Sequence, residues 1–146
     1  MSLEEARVII VVYTAVLLPL IIYFLNKSKI PSWVPTFYII AVTVCALGWE
    51  IWFTFGWLDG DPVDIRRSMV LNEWLPKNIN WLLNSMGDAG AVLLGGSWLM
   101  WLTHSKDNSV FLEWKWSAFI VLLAWCIGQN ILVEMFLYHD QLAEGK

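Results

Sequence analysis

Four stretches of this chain are apolar enough and long enough to cross a lipid bilayer, covering about residues 7–25, 33–57, 80–104 and 114–138. Roughly 20 consecutive apolar residues match the hydrocarbon core. Hydrocarbon offers backbone N–H and C=O groups no partner, so each such stretch must pair them internally as a helix. Hydrophobic residues make up 58% of the 146, against roughly 45–50% in an ordinary soluble domain. The expected fold is all-α: a polytopic integral membrane protein with one transmembrane domain over 1–146, an antiparallel four-helix bundle.

Four spans place the N-terminus, the long loop 58–79 and the C-terminus on one side. Loops 26–32 and 105–113 lie on the other. Trp33 and Trp57 end the second span, and Trp98, Trp101, Trp114 and Trp116 form a belt; aromatic residues favour the headgroup level. Five basic residues (Arg7, Arg66, Arg67, Lys77, Lys146) face four (Lys27, Lys29, Lys106, Lys115), so charge bias leaves the orientation open. A net charge of −4 gives no basic footprint for nucleic acid. Pro19 is expected to kink the first span. Loop 58–79 is polar but holds Met69, Val70, Leu71, Trp74 and Leu75, the makings of a short surface helix over the membrane. Arg66 and Arg67 would then reach headgroups or the acids below.

Three carboxylates interrupt the apolar stretches: Glu50, Asp88 and Glu134. Each costs roughly 2.5–3.5 kcal/mol at a helix centre, so such groups face a cavity or a partner. At ~1.5 Å rise per residue, all three fall about 6–12 Å below the same side. Asn84 stands one turn before Asp88, Asn130 one turn before Glu134, and Gln129 beside it. Tyr13 reaches a similar depth on the first span. The expected site is a pocket lined by these groups and walled by Trp49, Trp52, Trp81 and Trp125. Interhelical hydrogen-bond glue is the alternative for the amides. Gly87, Ala91 and Gly95 form a small-residue stripe for close helix approach, with Gly90 and Gly96 as further small surface, for packing or for a flat ligand.

No cofactor or metal is expected. Asp59, Asp61 and Asp64 begin like a calcium loop, but the twelfth position counted from Asp59 is Val70 rather than a bidentate acid. His104 and His139 end antiparallel spans and so sit on opposite sides. Cys45 and Cys126 lie inside spans without metal or disulfide spacing and read as small core residues.

Glu50-Ile51-Trp52-Phe53, the Met86–Trp98 segment with Asp88, and Gly128-Gln129 through His139 resemble the emopamil-binding protein family (the EXPERA domain) over spans two to four. The resemblance implies a membrane pocket for a flat, apolar, often cationic ligand, with Glu50 and Asp88 matching the family's two acids. In the family's sterol double-bond isomerase those acids move the proton. Two departures stand out: Ala46 occupies the place of a family histidine one turn before the first acid, and a further C-terminal span is missing.

The expected function is therefore intramembrane binding of a sterol-, terpenoid- or lipid-like molecule, an isomerase if Glu50 and Asp88 transfer protons. The alternative is a non-catalytic subunit of a larger membrane complex, with partner subunits or a second copy against its Trp-rich surface. A proton pathway is the third reading, weakened by the nearly apolar half of the bilayer opposite the acids. Expected partners are membrane lipids and a small apolar or cationic ligand.

Overall fold

The computed structural model describes residues 1–58, 60–133 and 135. Glu134 and His139 lie outside the described residues. Helix α1 (Leu3–Asn26) begins with a reciprocal cap: Glu5 donates its backbone N–H to Ser2 Oγ at 3.1 Å, and Ser2 donates its own to Glu5 Oε2 at 2.6 Å. It runs unbroken through Pro19, with mean hydropathy 2.8 over its most apolar window. Only Val8 and Val16 on it are buried; Ile10, Leu17, Leu18, Ile21 and Phe24 point outward.

The second apolar stretch is two helices. Helix α2 (Val34–Leu47) ends at Gly48, and α3 (Trp49–Phe55) departs at 48° to it. Glycine is required at the bend because a Cβ there would stand 2.7 Å from the Val44 carbonyl oxygen. Then comes a two-stranded antiparallel ribbon, β1 (Trp57–Leu58) with β2 (Asp61–Pro62), pairing Trp57 with Pro62. Gly60 in its turn has φ of 90°, a left-handed conformation that glycine adopts without cost. Asp-Gly is the dipeptide such hairpins favour.

The loop expected to lie on the surface is folded inward. Helices α4 (Val63–Arg66) and α5 (Met69–Trp74) follow β2, and Leu71 and Leu75 bury completely against Val8 of α1. Tyr13 donates from its hydroxyl to the Trp74 carbonyl at 2.9 Å, clamping the same junction. Arg67 reaches neither headgroups nor the acids. It is buried, with Nη1 on the Leu75 carbonyl at 2.9 Å and on Asn72 Oδ1 at 3.2 Å.

Helix α6 (Lys77–Gly87), a π-helical segment (Asp88–Leu94) and helix α7 (Gly95–Thr103) run on without interruption, 11, 7 and 9 residues long. This is the central rod. Helices α1 and α2 pack on its α6 and π portions, and α8 (Trp116–Leu132) packs on α7 and the π segment. The small residues make these approaches close. A Cβ on Gly90 would meet Pro19 Cγ at 3.1 Å, and one on Gly96 would meet Leu122 Cδ1 at 2.6 Å. Gly90 and Gly96 therefore serve helix packing rather than making room for a flat ligand.

The two ends of the molecule are distinct. The start of α1 meets α5 at one. Beyond the far end of α1, Trp33 stacks edge-on against Phe111 with centroids 5.5 Å apart. Phe111 belongs to a short 3₁₀ turn (Asn108–Phe111), which packs with Met100 and Ala118.

The architecture is all-α apart from the small ribbon. Among the described residues, α1 alone is long and apolar enough to cross a bilayer by itself, and the bent α2–α3 pair is a second span if counted as one. Helix α8 is apolar but shorter, at 17 residues.

Candidate functional site

A partly open cavity of about 650 Å³ lies between α1, α3, the central rod and α8. Its apolar wall is α1, through Val8, Val11, Val12 and Ala15, residues at the spacing of one helix face. The bend at Gly48 sets Trp49 and Glu50 at the head of the redirected helix, and both line the cavity. The central rod contributes Asn80, Asn84 and Asp88, each one helical turn apart or two. Helix α8 contributes Gln129 and Asn130 from the opposite side.

Six expected site residues thus come together on one cavity: Glu50, Asp88, Asn84, Gln129, Asn130 and Trp49. Four do not line it. Trp52 is 78% exposed and points away. Tyr13 holds the Trp74 carbonyl instead. Trp81 donates its indole N–H to the Ala46 carbonyl at 2.8 Å, an acceptor beside the break at Gly48. Trp125 donates to the Ala91 and Val92 carbonyls, each at 3.1 Å, within the π-helical segment. An indole N–H in an apolar setting seeks an acceptor, and those carbonyls are the acceptors within reach. The expectation for Glu134 lies outside the described residues.

The polar groups are not equivalent. Asp88 Oδ2 accepts the Trp49 indole N–H at 2.8 Å, which links α3 to the rod across the cavity. Glu50 is 6% exposed, in the first turn of α3. Gln129 is turned back, donating Nε2 to the Cys126 carbonyl at 3.1 Å. Asn80 is 5% exposed, and its Oδ1 has no hydrogen-bond partner among the described residues. A buried acceptor left so costs about 1–3 kcal/mol. No described lining residue is Lys, Arg or His.

Asn80, Cys45, Cys126 and the α1 wall were not foreseen as site residues. Asn80 was legible as the first member of an Asn80–Asn84–Asp88 stack at i, i+4, i+8. The cysteines and valines carry no such signal.

Outside the cavity, Asp64 Oδ2 pairs with Lys77 Nζ at 3.4 Å, so the acidic turn is tied to the base of α6. Among the described residues no three or more His, Cys, Asp or Glu gather as a metal site. Burial pulls the Arg67 guanidinium below its usual value, and the neighbouring Asp64 carboxylate opposes that shift. His104 ends α7 and bridges to α8: Nδ1 is 2.8 Å from the Met100 carbonyl and Nε2 is 2.8 Å from Ser117 Oγ.

Comparison with family models, curated proteins and solved structures returns no match.

Proposed function

We propose that this chain is a four-span membrane protein that holds a sterol-, terpenoid- or lipid-like molecule in the cavity between Glu50 and Asp88. The observation that carries this reading is the cavity itself: two intramembrane acids from separate helices meet on one space, and that space is walled by valine and tryptophan. Its volume of about 650 Å³ falls within the ~300–1,000 Å³ of small-molecule sites. The inside-out distribution of apolar residues supports the membrane setting. Leu18, Ile21, Phe24, Ile39, Ile40 and Ile127 are all at least half exposed, an arrangement that water penalises and lipid does not.

In this reading the third span is the central rod and the fourth is α8 with the residues beyond it. The pairing of α1's start with α5, and of Trp33 with Phe111, agrees with the side assignment that four spans require.

If the bound molecule is an olefin, Glu50 and Asp88 have the chemistry of a double-bond isomerase. One carboxyl group would give a proton to one alkene carbon, leaving a carbocation at its neighbour. A carboxylate would then take a proton from the adjoining carbon, and the double bond moves by one position with no net change in atoms or electrons. Fixed negative charge in a dry site stabilises the cation between the two steps. The resemblance to the emopamil-binding protein family points the same way.

A second reading, a subunit of a larger membrane assembly, draws on α8. Among the described residues that helix packs chiefly on α7 and the π-helical segment, and Gly128 on it has open space where a Cβ would stand.

Small molecules extracted from the purified protein separate the two. The native chain should carry an apolar molecule that Glu50→Gln and Asp88→Asn each deplete about tenfold, a loss equivalent to about 1.4 kcal/mol of binding, with unchanged helicity. Equal retention by both variants overturns the cavity reading. Loss of a co-purifying protein from variants on the exposed face of α8, with no bound molecule in the native chain, establishes the subunit reading instead.

A further inference from the structure

His104 and Ser117 stand where α7 gives way to α8, and neither lines the cavity. Their contact is arranged as a nucleophile and its base. His104 Nδ1 lies 2.8 Å from the Met100 carbonyl oxygen. That oxygen can only accept, so Nδ1 carries the proton of the neutral imidazole. The Thr103 hydroxyl, 3.2 Å from the same nitrogen, donates its own proton to the Leu99 carbonyl at 2.8 Å. His104 Nε2 is then the acceptor, and the Ser117 hydroxyl donates to it at 2.8 Å. A serine donating to an imidazole whose other nitrogen is held by a third group is the arrangement that activates a hydroxyl for attack.

The pair is also presented to the outside. Ser117 is exposed and His104 is half-buried. Directly after His104, Ser105 and Lys106 have φ of 58° and 61°, and they are the two non-glycine residues in the left-handed region among the described residues. That conformation costs a residue with a Cβ, and it turns the chain off α7 immediately beyond the imidazole. Ser117 lies in the first turn of the 17-residue α8, which has no side-chain cap. First-turn amides have no intrahelical acceptor and can receive a developing oxyanion. In the segment leading to Ser117, Leu112, Trp114 and Trp116 are 86%, 66% and 67% exposed. An acyl chain has apolar surface to lie on there.

We propose that Ser117 and His104 form a second site on this protein, a nucleophile–base pair that cleaves the carboxylic ester of an apolar acyl chain. Ser117 Oγ bonds to the ester carbonyl carbon as its proton passes to His104 Nε2, and the carbonyl electron pair moves onto oxygen. Collapse of that adduct breaks the bond to the alkoxy oxygen, which leaves with the proton from Nε2. Water then repeats both steps on the acyl-serine, so ester and water become acid and alcohol and Ser117 is restored. The site shares no residue with the Glu50–Asp88 cavity and does not depend on the ligand-binding reading.

Alkyl fluorophosphonates, which phosphonylate an activated serine, test this on the full chain in detergent, with peptide mass spectrometry locating the adduct. Native protein should be labelled at Ser117 and should release p-nitrophenol from p-nitrophenyl octanoate. Ser117→Ala should abolish both. His104→Gln should slow both at least about a hundredfold, with circular dichroism showing unchanged helicity. The octyl probe should react at least about tenfold faster than the ethyl probe, because its extra methylenes gain apolar contact. Native protein unlabelled at Ser117 overturns the proposal without any variant. Labelling of folded His104→Gln at the native rate overturns it as well, and leaves the Ser117–His104 contact as a tie between two helices. Equal rates for the two probes overturn the assignment of an apolar acyl chain. None of these results alters what is extracted from the cavity, so the two readings fail separately.

Discussion

Trp125 shows how much one N–H decides. The sequence places it among the apolar residues of the last helix, where a wall of the pocket is the natural expectation. Its indole instead serves two backbone carbonyls in the π-helical segment, Ala91 and Val92. Trp125→Phe keeps most of the ring and removes the donor. It should cost about 1 kcal/mol of stability, read as a lowered Tm in detergent. Trp52→Phe on the exposed α3 face should change Tm little, by less than about 0.5 kcal/mol. Equal effects would mean that ring area, and not the hydrogen bond, matters at 125. Asp107, in the turn between α7 and α8, gives a pH-dependent counterpart. Hydrogen bonds from the Ser109 side chain and backbone, then Lys115 at 3.4 Å, hold its carboxyl below the usual value of 3.8. A depressed carboxyl stabilises the fold above its unfolded pKa and loses that contribution as pH falls through the folded one. Acidification below about pH 4 should therefore loosen the Asn108–Phe111 turn. The Ser109 amide resonance reports this, and Asp107→Asn should flatten the response.

Gly48 is the position on which the candidate site turns at the level of elements. By composition, residues 33–57 read as one straight span. The break arises because the chain at Gly48 comes so near the Val44 carbonyl that a Cβ would lie 2.7 Å from its oxygen. Backbone cannot move aside as a side-chain tip can. Gly48→Ala should force α2 and α3 toward alignment, cost about 1–3 kcal/mol, and carry Trp49 off Asp88. Loss of the Trp49–Asp88 hydrogen bond would appear as a shift in the Trp49 indole proton resonance. An unchanged resonance would show that the bend is dictated by packing and not by the glycine. The loop after β2 makes a similar point. Met69, Leu71 and Leu75 were all candidates for a surface helix, yet Met69 is 89% exposed while Leu71 and Leu75 are fully buried. Which apolar residue turns inward depended on α1 being there to receive it.

For the molecule as a whole, the four-span reading is a statement about sides. Single cysteines at Ser28 and Lys106 should label from the same face of a vesicle, and cysteines at Ser2 and Asn78 from the other, in a background with Cys45 and Cys126 replaced. The reason is geometric: α1 begins against α5 and, past its other end, Trp33 meets Phe111. Labelling of Ser28 and Asn78 positions from one face would sink the four-span arrangement and leave α1 as the single long apolar helix. The same result would weaken the cavity as an intramembrane site, because its acids would then face water.

How much of this was legible beforehand follows from what kind of information each feature needs. Helicity is a property of local composition, and the apolar blocks announced it. The grouping of Glu50, Asp88, Asn84, Gln129 and Asn130 followed from depth arithmetic, since rise per residue is constant in any helix and polar groups at one level in an apolar rod tend to face one another. The turn before β2 is written in Gly60-Asp61-Pro62, plain turn chemistry. Direction was not legible. Whether Trp49 points at Asp88 while Trp52 points away depends on a 48° bend that no hydropathy pattern records. Whether Asn80 has a partner depends on side chains from helices far away in sequence. Those are facts of three-dimensional packing, and the chain settles them only when every helix is in place, because a hydrogen bond is decided within a few tenths of an ångström and composition has no such resolution.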